Sequence, residues 1–311
     1  MKTLIILNPH AGSGRAGRLW SKIEPLLWQE LGELVVAVTQ RPEEIAPHLE
    51  SARAAGLTRV IAIGGDGTNH SLVNELVRLN QRHPGEPPMT FGSLPMGTGQ
   101  DWARSLGVPL TPEAAVRWIK EAHPAPLDVG CLIGGTGPDK HFLNIASVGI
   151  GGVVSARINR LPTRRPWTFY RMTLEGLLSY RPQYVTVKLD GKTWYEGKIY
   201  AVAVANGQTF GHGMRIAPYA IYNDNLFDIV LIEGMPRLEA ALALNTVYSG
   251  AHLKRADVHS ARAHTIEIEG NDGPLPVELD GEAEQGKTLH FEVISGALST
   301  LVNHSSVLTV Q

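Results

Sequence analysis

The stretch that most constrains this chain is Ala62-Ile63-Gly64-Gly65-Asp66-Gly67-Thr68-Asn69-His70. Before it, the β-branched run Arg59 to Ile63 reads as a buried parallel strand; after it, Leu72, Val73, Leu76, Val77 and Leu79 repeat at helical spacing. Glycines at a strand-to-helix turn leave backbone N–H groups open at a helix N-terminus, which is what a polyphosphate requires. A carboxylate at Asp66 would repel phosphate unless a cation lay between them, so the pairing points to a metal-nucleotide. For the glycines alone, a tight βα turn without a ligand is the plainer reading.

With 311 residues, the chain has room for two domains of about 150 residues each. A hydrophobic fraction of 43% and a charged fraction of 19% suit a sizeable core. The formal net charge of −2 offers no global basic field for nucleic acid. A single cysteine, Cys131, excludes an internal disulfide framework and fits a reducing, cytoplasmic setting. Lys2 precedes only the short apolar run Leu4 to Leu7, which reads as a first strand and not as a signal peptide or membrane span.

The alternation that follows predicts an α/β fold with an open parallel sheet. Strands are expected at Thr3–Leu7, Leu34–Thr39, Thr58–Ile63 and Thr90–Leu94, with helices after Gly14, over Glu43–Ala55 and over Pro112–Ala122, and a kink at Pro25. Glycine turns end three of the strands, at Asn8 to Gly14, Gly64 to Thr68 and Pro95 to Asp101, on the side where such sheets bind ligands. His123-Pro124-Ala125-Pro126 reads as a linker. Beyond it, short runs predict an antiparallel β-sandwich: Val129–Ile133, His141–Ile145, Val185–Leu189, Tyr195–Val204, Phe227–Ile232, Thr265–Ile268, Pro276–Leu279 and Leu289–Ile294. Helices are expected at Gly152–Arg160, around Tyr170–Ser179 and at Arg237–Tyr248. The predicted domains are 1–124 and 125–296, with a tail, 297–311, that can return to the first.

Two motif matches mislead. Gly12-Ser13-Gly14-Arg15-Ala16-Gly17 fits G-x-G-x-x-G, but strand two ends in Thr39, Gln40 and Arg41, with no acid for a ribose diol. Gly281 to Thr288 satisfies the Walker A pattern, yet Leu289 to Ile294 continues as a strand and Glu282 and Glu284 would repel phosphate; a hairpin with a solvated Lys287 is expected. The histidines show no H-E-x-x-H spacing and no G-x-S-x-G elbow is present.

Taken in order, Asn8-Pro9, Gly64-Gly65-Asp66-Gly67-Thr68, Pro95-Met96-Gly97-Thr98, Asp128-Val129-Gly130, Tyr222 to Asp228 and Leu279-Asp280-Gly281-Glu282 resemble the diacylglycerol-kinase catalytic-domain family of lipid kinases across nearly the whole chain. The resemblance implies an N-terminal parallel-sheet nucleotide-binding domain, similar to NAD kinases and phosphofructokinases, and an antiparallel β-sandwich domain for the lipid, with ATP in a cleft between them. It places Asn8, Thr39, Gly64, Gly65, Asp66, Gly67, Thr68, Asn69, His70 and Thr98 around ATP, with Asp66 holding Mg²⁺ through water. Thr68 and Thr98 suit helix caps equally well. It makes Glu282 the general base on the lipid hydroxyl and Asp128 a supporting carboxylate, for which a strand-entry turn contact is an equal alternative. It also implies a structural Mg²⁺ held by Asp224 and the carbonyls of Ile221 and Leu226; a bare Asn-Asp-Asn turn is the other reading.

Two positions depart from the family pattern: Gln100 replaces an asparagine and Asn225 a glycine, the latter still able to adopt positive φ. The expected activity is transfer of the γ-phosphoryl of Mg·ATP to a lipid hydroxyl, with diacylglycerol foremost, at a membrane surface touched peripherally. Arg164-Arg165-Pro166-Trp167-Thr168-Phe169-Tyr170 is a candidate contact lip, a buried helix start being the alternative. An NAD-kinase-like phosphotransferase with a soluble acceptor and a non-catalytic nucleotide- or lipid-binding homologue are the other readings. The acceptor lipid and homodimer formation are left open by the sequence.

Overall fold

A computed structural model describes residues 2–134, 137–161 and 166–303, and side chains at Pro166 and Trp167 lie outside that description. The chain divides into two compact units, Met1–Asp128 with Ser295–Gln311, and Val129–Ile294. Arg164 and Arg165 of the candidate lip, like the last residues of the tail, fall outside the described residues.

In unit 1 the chain runs β1 (Thr3–Leu7), α1 (Ala11–Leu31), β2 (Leu34–Val38), α2 (Ile45–Ala54), β3 (Arg59–Gly64), α3 (Asp66–Arg82), β4 (Thr90–Pro95), α4 (Asp101–Leu106) and α5 (Pro112–Glu121). Parallel pairing gives the order β4-β3-β1-β2. Every residue of β1 and β4 is buried, which is why these strands read as unbroken apolar runs; β2, at the edge, alternates with exposure at Val35 and Val38. The connection after β1 leads to β2 on one side and that after β3 leads to β4 on the other, so the turns after β1 and β3 lie at the topological switch point of the sheet. In α1 the backbone departs from helical values at Gly12, Ser13 and Gly14, and not at Pro25.

The expected linker at His123 is instead the start of β5 (His123–Ile133), a strand that runs from unit 1 into unit 2. Unit 2 continues with β6 (Lys140–Phe142), β7 (Ile145–Gly149), α6 (Ile150–Asn159), α7 (Pro166–Ser179), β8 (Gln183–Leu189), β9 (Lys192–Ala205), β10 (Phe227–Glu233), α8 (Arg237–Ser249), β11 (Val258–Ala263), β12 (Thr265–Gly270), β13 (Leu275–Leu279), β14 (Glu282–Gly286) and β15 (Thr288–Val302). Pairing is antiparallel along β14-β13-β7-β9-β8-β12-β15, with β10 on β9 and β11 on β10. The end of β15 belongs to unit 1, where Ser299 and Thr300 pair in parallel with Thr90 and Phe91.

Strand alternation splits unit 2 into two cores. Ala146, Val148, Val202, Val204, Ile229 and Leu231 face the sandwich interior, where Phe142 stacks on Phe227 with centroids 5.7 Å apart. Their neighbours Ile145, Ala203, Ala205 and Val230 face the opposite way, against Leu177 of α7 and Ala240, Leu244 and Val247 of α8. Gly130 is a packing residue: the ring of its cross-strand partner Phe142 occupies the place of a Cβ.

Candidate active site

The three glycine turns of unit 1 are knitted to one another by backbone. Asn8 N–H donates to Ile63 O (3.0 Å), Thr39 N–H to Leu7 O (2.9 Å), and Met96 and Gly97 N–H to Gly64 O (2.7 and 3.1 Å). Missing side chains allow the approach. A Cβ on Gly97 would sit 2.5 Å from Gly65 Cα, and one on Gly12, whose φ is +60°, would strike the Met96 carbonyl. Gly64 is packed against Thr68 in the same way.

Asp66 opens α3, and Gly65, not Thr68, is the residue preceding that helix. Thr68 lies inside the first turn, where its Oγ1 accepts a hydrogen bond from Asn8 Nδ2 (3.1 Å), so it ties turn one to turn two and does not cap. Likewise Gln100, not Thr98, precedes α4. Asp66 Oδ2 accepts from Gln100 N–H (2.8 Å), which fixes the carboxylate against the third turn. Gln100 carries φ +59° to make that contact, and its side-chain amide turns back to Pro95 O at 3.5 Å. Gly67 is exposed, Asp66 and His70 are half-buried, and Asn69 is buried with its Oδ1 accepting from Ser93 Oγ (3.0 Å). Thr39 is buried at the end of β2, its hydroxyl toward Leu7 O.

This arrangement fits a magnesium-nucleotide: an exposed glycine at a helix N-terminus, beside a half-buried carboxylate with one oxygen committed to a backbone N–H. A hard cation that retains its water shell suits such a single carboxylate. Asp128 is 2% exposed and lies within β5, not at a strand entry; its Oδ1 accepts from Gly296 N–H (2.8 Å), tying β5 to the returning β15.

In unit 2, Glu282 begins β14 just after a hairpin turn made by Asp280 (φ +49°) and Gly281 (φ +95°), the left-handed pair that two-residue hairpins favour. The turn is clamped on every side. Asp280 accepts from the N–H groups of Leu143 (2.7 Å), Asn144 (3.0 Å) and Ile145 (3.1 Å), Glu278 accepts from Gly281 N–H (2.7 Å), and Gly281 O accepts from Ser155 Oγ (2.6 Å) and Asn159 Nδ2 (3.1 Å). These bonds also explain why the predicted run His141–Ile145 is broken into β6 and β7: N–H groups between them serve the Asp280 carboxylate. Glu284 is ion-paired with Lys140, whereas Glu282 is exposed and has no hydrogen-bond or ion-pair partner among the described residues. The Walker-like stretch is strand, with exposed Lys287 between β14 and β15.

The proposed structural-metal turn holds a cation of its own. Asp224 Oδ1 accepts from Leu226 N–H (3.1 Å) and its other oxygen pairs with the Arg262 guanidinium. Asp228 lies 3.6 Å from the same guanidinium, too far for a hydrogen bond, and burial pushes its carboxyl up to about 6. Asp224, the one side-chain ligand of the expected Mg²⁺ set, is thus bonded within the chain; the other two expected ligands are the backbone carbonyls of Ile221 and Leu226. Asn225 takes φ +60°, as its place in the pattern requires. Among the described residues no group of three or more His, Cys, Asp and Glu is placed to hold a metal, and no helix is long and apolar enough to cross a membrane.

A parallel sheet with glycine turns at its strand ends, followed by an antiparallel sandwich, is the architecture of a class of two-domain kinases. The fold is shared with an NAD kinase from Archaeoglobus fulgidus crystallised with ATP (TM-score 0.55, 15% identity, 99% of this chain and 96% of that one) and with a diacylglycerol kinase from Bacillus anthracis (TM-score 0.72, 23% identity, 98% of both chains). Residues 2–132 match the diacylglycerol kinase catalytic domain, and residues 144–302 the YegS C-terminal NAD kinase beta sandwich-like domain. Among relatives, a Pseudomonas fluorescens protein named "Probable lipid kinase YegS-like" is 32% identical over 89% of this chain and 88% of its own length. A Mycobacterium tuberculosis diacylglycerol kinase is 28% identical over 89% of this chain and 91% of its own. The chain belongs to the YegS-like, diacylglycerol-kinase family of lipid kinases.

Proposed function

We propose that this protein transfers the γ-phosphoryl group of Mg·ATP to the hydroxyl of diacylglycerol or a closely related lipid. The observation that carries the reading is the meeting of three glycine turns at the N-terminus of α3, with Asp66 held against the third, in a chain of this family. Unit 1 is the nucleotide-binding domain, similar in plan to NAD kinases and phosphofructokinases. Asn8, Thr39, Thr98 and the stretch Gly64, Gly65, Asp66, Gly67, Thr68, Asn69 and His70 form its binding set, with Asn69 acting from behind by holding β4 through Ser93.

Mg²⁺, when bound with ATP, supplies charge neutralisation of the transferring group. Asp66 is the residue that would hold it, through water. Glu282 takes the proton of the acceptor hydroxyl, since an alcohol is a weak nucleophile at neutral pH and an unpaired carboxylate on a clamped turn suits that task. Asp128 is a positioning residue for the β5 and β15 backbone. A lipid acceptor implies peripheral contact with a membrane surface.

The test is ATP turnover against diacylglycerol, sphingosine, ceramide and NAD⁺, comparing wild type with Glu282→Gln. Turnover of diacylglycerol that Glu282→Gln abolishes supports the reading. Activity confined to NAD⁺ overturns it.

A further inference from the structure

Among the described residues, four strands have a neighbour on one side only: β2 in unit 1, and β6, β11 and β14 in unit 2. An edge strand offers a row of unpaired N–H and C=O groups, and charged side chains, proline or a bulge ordinarily keep other strands from adding to it. In unit 2 each edge is guarded in this way, by Lys140 on β6, Arg262 on β11, and Glu282 and Glu284 on β14. Strand β2 is Leu34-Val35-Val36-Ala37-Val38, with no charge and no proline, and it pairs with β1 in unbroken register. Val35 and Val38 are 44% and 53% exposed.

Two hydrogen bonds that frame the strand fix which of its groups face outward. Thr3 N–H donates to Glu33 O (3.0 Å) and Thr39 N–H to Leu7 O (2.9 Å). In a ladder the backbone groups facing one neighbour alternate, so Glu33, Val35, Ala37 and Thr39 turn theirs to β1, and Leu34, Val36 and Val38 turn theirs away from it. No hydrogen bond from the described residues reaches those outward groups.

We propose that this edge pairs with the same edge of a second copy of the chain, antiparallel about a two-fold axis through Val36. Val36 then faces its own counterpart, and Leu34 faces the counterpart of Val38 on either side of the axis. All three are hydrogen-bonded pairs, each exchanging two N–H···O bonds. A shift of two residues loses bonds in either direction. One shift sets Val38 against Glu30, inside α1, and the other sets Leu34 against Pro42, which has no N–H. Parallel pairing of the same two edges needs a one-residue offset that no two-fold axis permits, and closed homo-oligomers are built on such axes.

Charge selects the same arrangement. Glu33 precedes the strand and Arg41 follows it, with side chains 53% and 76% exposed. Antiparallel pairing brings each Glu33 to within two residues of the other copy's Arg41, at both ends of the interface. Five residues a side bury less than the roughly 1,200 Å² of a stable interface, so the dimer is reversible and concentration-dependent. The assignment uses β2 alone and stands apart from the kinase reading.

The test is sedimentation velocity over a range of protein concentrations. Wild type should pass from monomer to dimer as concentration rises. Val36→Pro removes an N–H that the monomer leaves unbonded, so the β1–β2 ladder and the melting temperature should be kept. Its dimer dissociation constant should rise on the order of tenfold or more, for the two hydrogen bonds lost at the axis. A second measurement treats Val36→Cys and Val38→Cys with a methylene-bridged bis-thiosulfonate, the native Cys131 being buried. Two-fold pairing sets the two copies of position 36 about 5.5 Å apart at Cα. The two copies of position 38 are separated by four residues along the strands, about 14 Å. Val36→Cys should therefore cross-link between copies, and Val38→Cys, at the more exposed position, should not. A wild type that stays monomeric at every concentration, a folded Val36→Pro that dimerises as wild type does, or equal cross-linking of the two thiol variants overturns the assignment. If Val36→Pro fails to fold, the contrast between the thiol variants decides.

Discussion

The glycine cradle of unit 1 and the Asp-Gly-Glu hairpin of unit 2 both present a carboxylate from a tight turn, but they are built by opposite means. In the cradle, the turns meet because side chains are missing, as at Gly97 over Gly65 and Gly12 against Met96. In the hairpin, a side chain supplies what the backbone lacks: Asp280 gathers three N–H groups that no strand partner takes. The first construction is sensitive to added bulk and the second to lost charge.

The largest effect should come from Glu282, the one carboxylate of the hairpin that the frame does not use. Glu282→Gln should lower kcat by about 10²- to 10⁴-fold, the usual worth of a general base, with ATP affinity retained in a binding titration. Equal loss of ATP affinity would show that the hairpin's role is structural. Gly97→Ala should do the reverse. Its Cβ would lie 2.5 Å from Gly65 Cα, and overpacking of this kind costs about 1–3 kcal/mol, here directed at the glycine turns proposed to bind ATP. The readout is a raised Kd for ATP with the unfolding of unit 2 unaltered.

Asp280→Asn keeps the shape of the hairpin and removes its charge. It should destabilise unit 2 by about 2 kcal/mol in urea titration, since hydrogen bonds to a charged acceptor are worth about 1.5–3 kcal/mol. A null result would break the contrast, because the clamp would then owe nothing to charge. Gln100→Gly should stabilise unit 1 by about 1 kcal/mol by relieving a left-handed backbone at a residue with a Cβ.

The smallest effect is in pH. The folded state depresses the pKa of His252, so the unfolded chain takes up the proton first. Stability contributed by the neutral ring is present above the unfolded value near 6.5 and is lost as pH falls below it toward the folded value. His252→Gln should flatten that slope between pH 7 and pH 5 in thermal melts.

The same contrast explains what could be read in advance. The cradle was legible because its signals are local: apolar strands buried on both faces, and glycines at fixed offsets from Asp66. The hairpin's Asp-Gly signal was also local, but the partners of Asp280 lie more than 130 residues upstream, and no spacing rule reaches them. Strands β11 and β14 escaped notice because exposed Ser260 and Arg262 and half-buried Glu284 stand among neighbours that are themselves only half-buried, which blurs the alternation that marks a strand. Pro124 and Pro126 suggested a linker where a strand begins. The Arg262 guanidinium, which bonds the Asp224 carboxylate, comes from β11, a strand the pattern did not reveal.

Strands β5 and β15 carry a consequence for biosynthesis. Because unit 2 is inserted between Asp128 and Ser295, the segment that pairs with Thr90 and Phe91 of β4 is made only after the whole of unit 2. Until then unit 1 has its parallel strands but an uncovered edge, the kind of surface that recruits foreign strands. A chain stopped before Ser295 would keep every turn of the cradle and still expose that edge, so premature termination should yield aggregation and not a free-standing unit 1.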